Sequence, residues 1–305
     1  MALIEEVRAV PDMSGDTRVR VFRRGFQGDP EESEGMEVDA YLVVTQRYIV
    51  VLDTLLCLED VGSMMQTLPT DLAGRQVLVV NSHADWDHSW GNAYFMGEHA
   101  APIIAHDHCL LRMQSEEARA GLREYQERYA IFRSVVLVPP TVTFEQQLTI
   151  HGGDLTIELL ATPGHHPDHI AAWLPELRLL LAFDAAEMPL PLIENAACAP
   201  LMFASLERMI ALQPLRVLCS HGKTTSPDQL QANLAYLREI EQRCQTLLTT
   251  RRPEAADLEQ GAALIDYPLD EVLAAINEPV DRRFYGRAHD NNVRSIMGWL
   301  SGLGL

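Results

Sequence analysis

Short apolar, β-branched runs recur along the chain, and four of them end in a residue able to bind a metal. Gln76-Val77-Leu78-Val79-Val80 reads as a buried strand. It leads into Asn81–Trp90, NSHADWDHSW, which places two histidines and two aspartates between His83 and His88. An Asp-Trp-Asp run suits neither strand nor helix, so a loop at the strand's C-terminal end is expected. Taken alone, that segment also suits a polar surface loop with capping residues. Three later runs repeat the pattern. Ile157–Leu160 leads through Ala161-Thr162-Pro163-Gly164 to His165, Leu179–Phe183 to Asp184, and Val217–Cys219 through Ser220 to His221. Apolar run, ligand-type residue, then a break suits a sandwich whose strands deliver their ligands to one edge.

The remaining pattern fills in an α/β chain. Arg18–Phe22 alternates as a strand, and Val38–Thr45 and Tyr48–Asp53 flank Gln46-Arg47 as a hairpin. Gly28–Gly35 reads as an acidic turn and Leu58–Leu72 as a helix. Gly91–Phe95 opens a short helix, and Pro102–Ala105 is a strand. Cys109–Arg133 is helical, with amphipathic Ala118–Arg133 expected as a flap over the site. Val135–Leu148 is extended, and His151-Gly152-Gly153-Asp154 is a hairpin turn. Pro227–Thr249 carries Leu230, Leu234, Leu237, Ile240 and Leu247 on one helical stripe. After Arg251-Arg252-Pro253 the composition shifts, and Glu254–Asn277 and Phe284–Leu300 read as further helices. Residues 1–250 are therefore expected as the main domain and 251–305 as a helical extension. The extension's apolar spacing predicts that it packs near the pocket or forms a homodimer contact.

Histidines and carboxylates converging on one point are ligands that Zn, Fe or Mn accept. The ordered set HADWDH, TPGH, FD and SHG resembles the metallo-β-lactamase superfamily, over roughly residues 18–248. The resemblance implies a four-layer αββα sandwich and a dinuclear centre. On that basis metal one would take His83, Asp85 and His165, metal two Asp87, His88 and His221, and Asp184 would bridge them. Two divalent ions could then share a hydroxide that attacks an ester, thioester, lactone or lactam of a small molecule. Asp87 has an alternative role as proton shuttle to the leaving group. Asp168 and His169 stand where the family's supporting residues stand, and His169 is the candidate to orient a ligand.

One position departs from the family pattern. Asp85 stands where most members carry the second histidine. An anionic oxygen ligand shifts preference from Zn towards Fe or Mn. A carboxylate there is similar to the oxygen-reducing flavodiiron group, so a diiron oxidoreductase is the alternative, and a non-catalytic metal sensor a third. Residues 222–305 carry no recognisable phosphate loop, so an oxygen reductase would need a separate electron donor. Hydrolysis is the favoured expectation.

Several residues are expected to be structural. Asp53 is read as a strand-end carboxylate rather than a ligand, and His106 or Asp107 as a helix cap. Trp86, Trp90, Tyr94 and Phe95 form an aromatic cluster, conspicuous in a chain with 7% aromatics. His289-Asp290-Asn291-Asn292 is read as the polar side of a helix. The net charge of −19 argues against nucleic acid or an anionic membrane as partner, because both would repel it. The acidic MALIEEVRAV start and five cysteines without CxxC spacing fit reduced thiols in a cytoplasmic protein.

Overall fold

Residues 6–29, 31, 35–68, 74–276 and 278–303 are described by the computed structural model. Its strands form a seven-stranded and a five-stranded sheet. The chain divides into two units. Unit 1 comprises Met1–Phe26, Glu37–Ala161 and Asp168–Leu179, and unit 2 comprises Gln27–Met36, Thr162–Pro167 and Leu180–Leu305.

Most of unit 1 is built on the seven-stranded sheet. In sheet order its strands are β1 (Arg8–Val10), β2 (Val19–Phe26), β3 (Met36–Val44), β4 (Tyr48–Leu52), β5 (Gln76–Val80), β6 (Ile103–His106) and β7 (Val142–Phe144). β3 and β4 are the expected antiparallel hairpin. The Thr45 hydroxyl closes its turn by accepting from the Tyr48 amide at 2.8 Å. From β4 to β7 the pairing is parallel. Parallel neighbours need crossover connections, and helices supply them. These are α1 (Leu58–Met65), α2 (Trp86–Ser89) with the 3-10 turn Trp90–Phe95, α3 (Asp107–Met113) and α4 (Glu116–Arg128). Leu52 lies opposite Val80, so β4 and β5 end side by side. Whatever follows each strand emerges at one edge, where open α/β sheets bind ligands. The strands β8 (Gln147–His151) and β9 (Thr156–Ala161) form the expected hairpin, and β10 (Ile170–Leu174) pairs antiparallel with β9.

Two helices differ from their expected lengths. The helix expected over 58–72 is α1, ending at Met65, and residues 69–72 lie outside the described residues. So do residues 30 and 32–34 of the expected acidic turn, and Asn277. The stretch 109–133 is two helices, because the Ser115 hydroxyl accepts from the Ala118 amide at 3.0 Å and starts a new one. His106 caps α3, its Nδ1 accepting from the His108 amide at 3.1 Å. The aromatic cluster also has other members than expected. Trp86 and Trp90 pack with Tyr125 and Phe132, with Phe26 against Trp86 and Tyr129 against Phe132, while Tyr94 stacks on His99 with ring centroids 4.6 Å apart.

Unit 2 carries β11 (Leu179–Leu181, from Leu180 on) and β12 (Arg216–Leu218), joined by Ala182 N–H donating to the Leu218 carbonyl at 2.8 Å. Its helices are α5 (Ala199–Ala211), α6 (Asp228–Thr250), α7 (Ala255–Leu258), α8 (Leu269–Val272) and α9 (Arg282–Ser301). The stripe of α6 is buried at Leu230, Leu237 and Ile240. On α9, Val293, Ile296 and Met297 are fully buried, and this helix packs against α5 and α6. It ends at Gly302, whose φ of 70° suits a residue without Cβ. All five cysteines are free and buried. Among the described residues, no helix is long and apolar enough to cross a membrane.

Candidate metal centre

In unit 1 the loop after β5 folds back on the end of β4. Gly91 permits this, since a Cβ there would lie 2.0 Å from the Thr54 carbonyl. Asp53, just past β4, is fully buried with φ at 65°, a left-handed conformation that costs a non-glycine residue about 1–3 kcal/mol. That strain is offset by what its carboxylate holds. Oδ1 accepts from the Ser82 amide at 2.7 Å. Oδ2 accepts from the Ser82 hydroxyl at 2.7 Å and from His88 Nδ1 at 2.8 Å. With the Ser82 proton directed to Asp53, its oxygen accepts from His83 Nδ1 at 2.9 Å. Both imidazoles therefore donate through Nδ1 and present Nε2, as histidine ligands do when a carboxylate or hydroxyl fixes their tautomer. Asp53 is the anchor of two candidate ligands, more than the strand-end residue its sequence position suggests.

Asp85 is held from the other side. Arg112 of α3 donates to Asp85 Oδ1 at 2.7 Å and to Asp168 Oδ1 at 2.6 Å. Asp168 is fully buried, and its Oδ2 accepts from the Ala84 amide at 2.8 Å. Burial disfavours the Arg112 charge, but the two carboxylates overcome it and raise the guanidinium's pKa above its ordinary value. Asp85 Oδ2 then lies 3.4 Å from His83 Nε2. His169, the expected supporting histidine, is fully buried with its ring 5.2 Å from that of His83. Arg112 belongs to no motif, and nothing in its sequence context marks it as a partner of Asp85.

In unit 2 the TPGH segment is fixed by α5. The Ser205 hydroxyl donates to the Pro163 carbonyl at 2.7 Å. Gly164 (φ 149°) lies so close that a Cβ would meet Met202 Cα at 2.5 Å. His165 Nδ1 donates to the Leu192 carbonyl at 3.1 Å, which again presents Nε2. The neighbouring His166 turns elsewhere, as expected, with Nδ1 3.3 Å from Glu194. Phe183, just before Asp184, takes a left-handed φ of 48°. His165 Nε2 and His221 Nε2 lie 3.6 and 3.5 Å from Asp184 Oδ2. Glu187 follows, buried, accepting from the Tyr285 hydroxyl at 2.6 Å. Burial pushes its carboxyl up to about 7, with Asp184 adding to the rise and His221, the Tyr285 hydrogen bond and His165 opposing it.

The spacings can be tested against a metal. Two ligand atoms about 2.0–2.1 Å from a tetrahedral ion stand roughly 3.3–3.4 Å apart. His83 and Asp85 meet at 3.4 Å, His88 Nε2 and Asp87 Oδ2 at 3.5 Å, and the unit 2 pairs at 3.5 and 3.6 Å. These exceed hydrogen-bond distances and match shared coordination. His83, Asp85, Asp87 and His88 in unit 1, and His165, Asp184 and His221 in unit 2, all belong to His/Asp groups that could hold a metal ion. The donor set of imidazole and carboxylate fits a divalent metal.

Comparison with known proteins agrees. A metallo-β-lactamase from Pontibacter korlensis is 15% identical, with a TM-score of 0.61 over 76% of this chain and 99% of that one. The metallo-β-lactamase FIM-1 from Pseudomonas aeruginosa, in a mono-zinc form, is 14% identical, with a TM-score of 0.58 over 78% and 98%. A metallo-β-lactamase from Erythrobacter litoralis is 17% identical, with a TM-score of 0.56 over 77% and 98%. At such identities the likeness shows the fold, the αββα sandwich with a C-terminal helical region. No curated protein matches the chain. The profile of the metallo-β-lactamase superfamily matches residues 34–221, more than half of the chain and all seven of the side chains above, and the chain belongs to that superfamily.

Proposed function

We propose that the protein is a dinuclear metal hydrolase acting on an ester, thioester, lactone or lactam of a small molecule. The superfamily is mostly one of metal-dependent hydrolases, which supports the reaction class. His83, Asp85 and His165 would hold one ion, Asp87, His88 and His221 the other, and Asp184 would bridge. The observation that carries the reading is that His83, His88 and His165 all commit Nδ1 to a fixed acceptor, with Nε2 at coordination distance from a carboxylate.

When bound, the metals would supply Lewis acidity, lowering the pKa of water and polarising a carbonyl. The chain's own residues do the rest. Asp53 and Ser82 keep His83 and His88 in the ligating tautomer. In its alternative role, Asp87, largely buried beside His88, would carry a proton to the leaving group.

The redox alternative rests on the hard, anionic ligand at Asp85. Arg112 weakens that case, because its guanidinium draws on the same carboxylate that would stabilise a more highly charged iron. Hydrolysis therefore stays ahead. The test is a panel of thioester, lactone, β-lactam and phosphoester substrates, run on protein with zinc or manganese and on chelated protein. Metal-dependent turnover of an acyl substrate is the expected result. Turnover that needs an electron donor and oxygen, with none on the panel, would contradict the proposal.

A further inference from the structure

The C-terminal helix α9 lies beyond the segment matched by the superfamily profile, which ends at residue 221. Yet His289 and Asn292 of its polar cluster are not part of a solvated face. His289 is buried, accepting from the Tyr236 hydroxyl at 2.8 Å and donating to the Tyr267 carbonyl at 2.7 Å. Asn292 is fully buried and faces the loop that follows Asp184. That loop contains Pro189 and Pro191, which lack N–H groups and cannot pair in a ladder. Its buried carbonyls must find donors elsewhere. An asparagine amide, with donor and acceptor side by side, suits this task.

Asn292 Nδ2 donates to the Pro191 carbonyl at 2.7 Å, and its Oδ1 accepts from the Ile193 amide at 2.8 Å. The two bonds bracket Leu192. Asn291 adds a bond to the Ile193 carbonyl at 2.6 Å. Tyr285 holds Glu187 and, at 3.1 Å, the Met188 carbonyl. From α6, Asn233 binds both the amide and the carbonyl of Glu187 at 2.9 Å. The bracketed residue, Leu192, is the one whose carbonyl accepts from His165 Nδ1.

We infer that α9 belongs to the metal centre as a positioning element, with Asn292 orienting ligand His165 through the Leu192 carbonyl. This rests on the reading of His165 as a ligand. Partners that orient ligand histidines typically govern metal affinity by 10–100-fold.

The test uses full-length protein and zinc(II). Asn292→Leu keeps the side chain's size and removes both bonds to the loop. Zinc affinity, measured by competition with a chromophoric chelator, should fall at least tenfold for one of the bound ions. Ile296→Ala opens a cavity in the same helix and leaves the amide bonds in place. It should lower stability to denaturant with zinc affinity unchanged. Wild-type affinity in Asn292→Leu, or an equal loss in Ile296→Ala, would overturn the inference. A second measurement works without metal. In chelated wild-type protein, ¹H–¹⁵N spectra should show a slowly exchanging His165 Nδ1–H, and Asn292→Leu should lose it. A wild type that binds no zinc would refute the ligand reading alone, whereas an undisturbed His165 signal in Asn292→Leu would refute the clamp.

Discussion

The candidate ligands of unit 1 and those of unit 2 are held by different chemistry. In unit 1, four candidate ligands sit within one hexapeptide, and charged groups brace them: Asp53 under His88 and, through Ser82, His83, and Arg112 with Asp168 around Asp85. In unit 2, three candidate ligands come from three separate segments, and the braces are neutral: a backbone carbonyl behind His165, and the amides of Asn233, Asn291 and Asn292 behind the loop that supplies it. Charge-assisted bonds are roughly twice as strong as neutral ones. Losing a brace in unit 1 should therefore cost more than losing one in unit 2.

The largest expected effect is at Asp53. Asp53→Ala leaves His88 Nδ1 and the Ser82 amide and hydroxyl buried without their acceptor. Metal affinity and turnover should each fall roughly 10–100-fold, and stability by about 2–3 kcal/mol. Asp53→Asn should lose less, since its amide oxygen still accepts one bond. An Asp53→Ala protein with wild-type metal content would break the comparison at its strongest point.

Arg112→Ala comes next. It strips two carboxylates, Asp85 partly exposed and Asp168 fully buried, of a shared cation. Because the guanidinium is partly open to solvent, the loss should be about 1–3 kcal/mol, below the range for fully buried pairs. Urea denaturation of the variant and of Arg112→Lys measures it. Lysine should recover only part, since it cannot fork between two acceptors.

The third effect is a pH dependence in unit 2, which acts on stability and leaves the candidate ligands in place. Burial raises Glu187 from 4.5 to about 7 in the folded chain. Between those values the folded state binds more protons than the unfolded one, so stability falls as pH rises through that window. Denaturation of chelated protein from pH 4.5 to 7 should show this decline, and Glu187→Gln should flatten it. Equal slopes in the two proteins would remove Glu187 from the account.

The same contrast decides what was legible in the sequence. The strand-end ligand pattern and the hairpins could be read because each is local: the apolar run and its terminating residue are contiguous. The supports could not. Asp53 reaches His88 only because β4 and β5 are parallel neighbours with Leu52 opposite Val80. Arg112 reaches Asp85 from a helix that the chain builds later, and it looks like any charged residue on an amphipathic helix. Asn292 is farther still, and the polar cluster around it reads as a solvated face until the tertiary fold buries it. One signal was available: an Asp directly after a β-branched strand that neighbours a ligand-bearing one could have marked Asp53 as a brace.

The central claim is that Asp85 is a ligand in a two-metal centre, and metal stoichiometry tests it most directly. Protein purified without added metal, then saturated with zinc or manganese and freed of excess, should hold about two ions per chain, as paired sites do. Asp85→Ala should hold about one, retained on Asp87, His88 and His221. Asp85→His should return to about two and gain relative zinc affinity, because imidazole suits zinc and removes a negative charge. One ion per chain in both wild type and Asp85→Ala, with the same metal preference, would contradict the account and leave Asp85 a partner of Arg112 that orients His83.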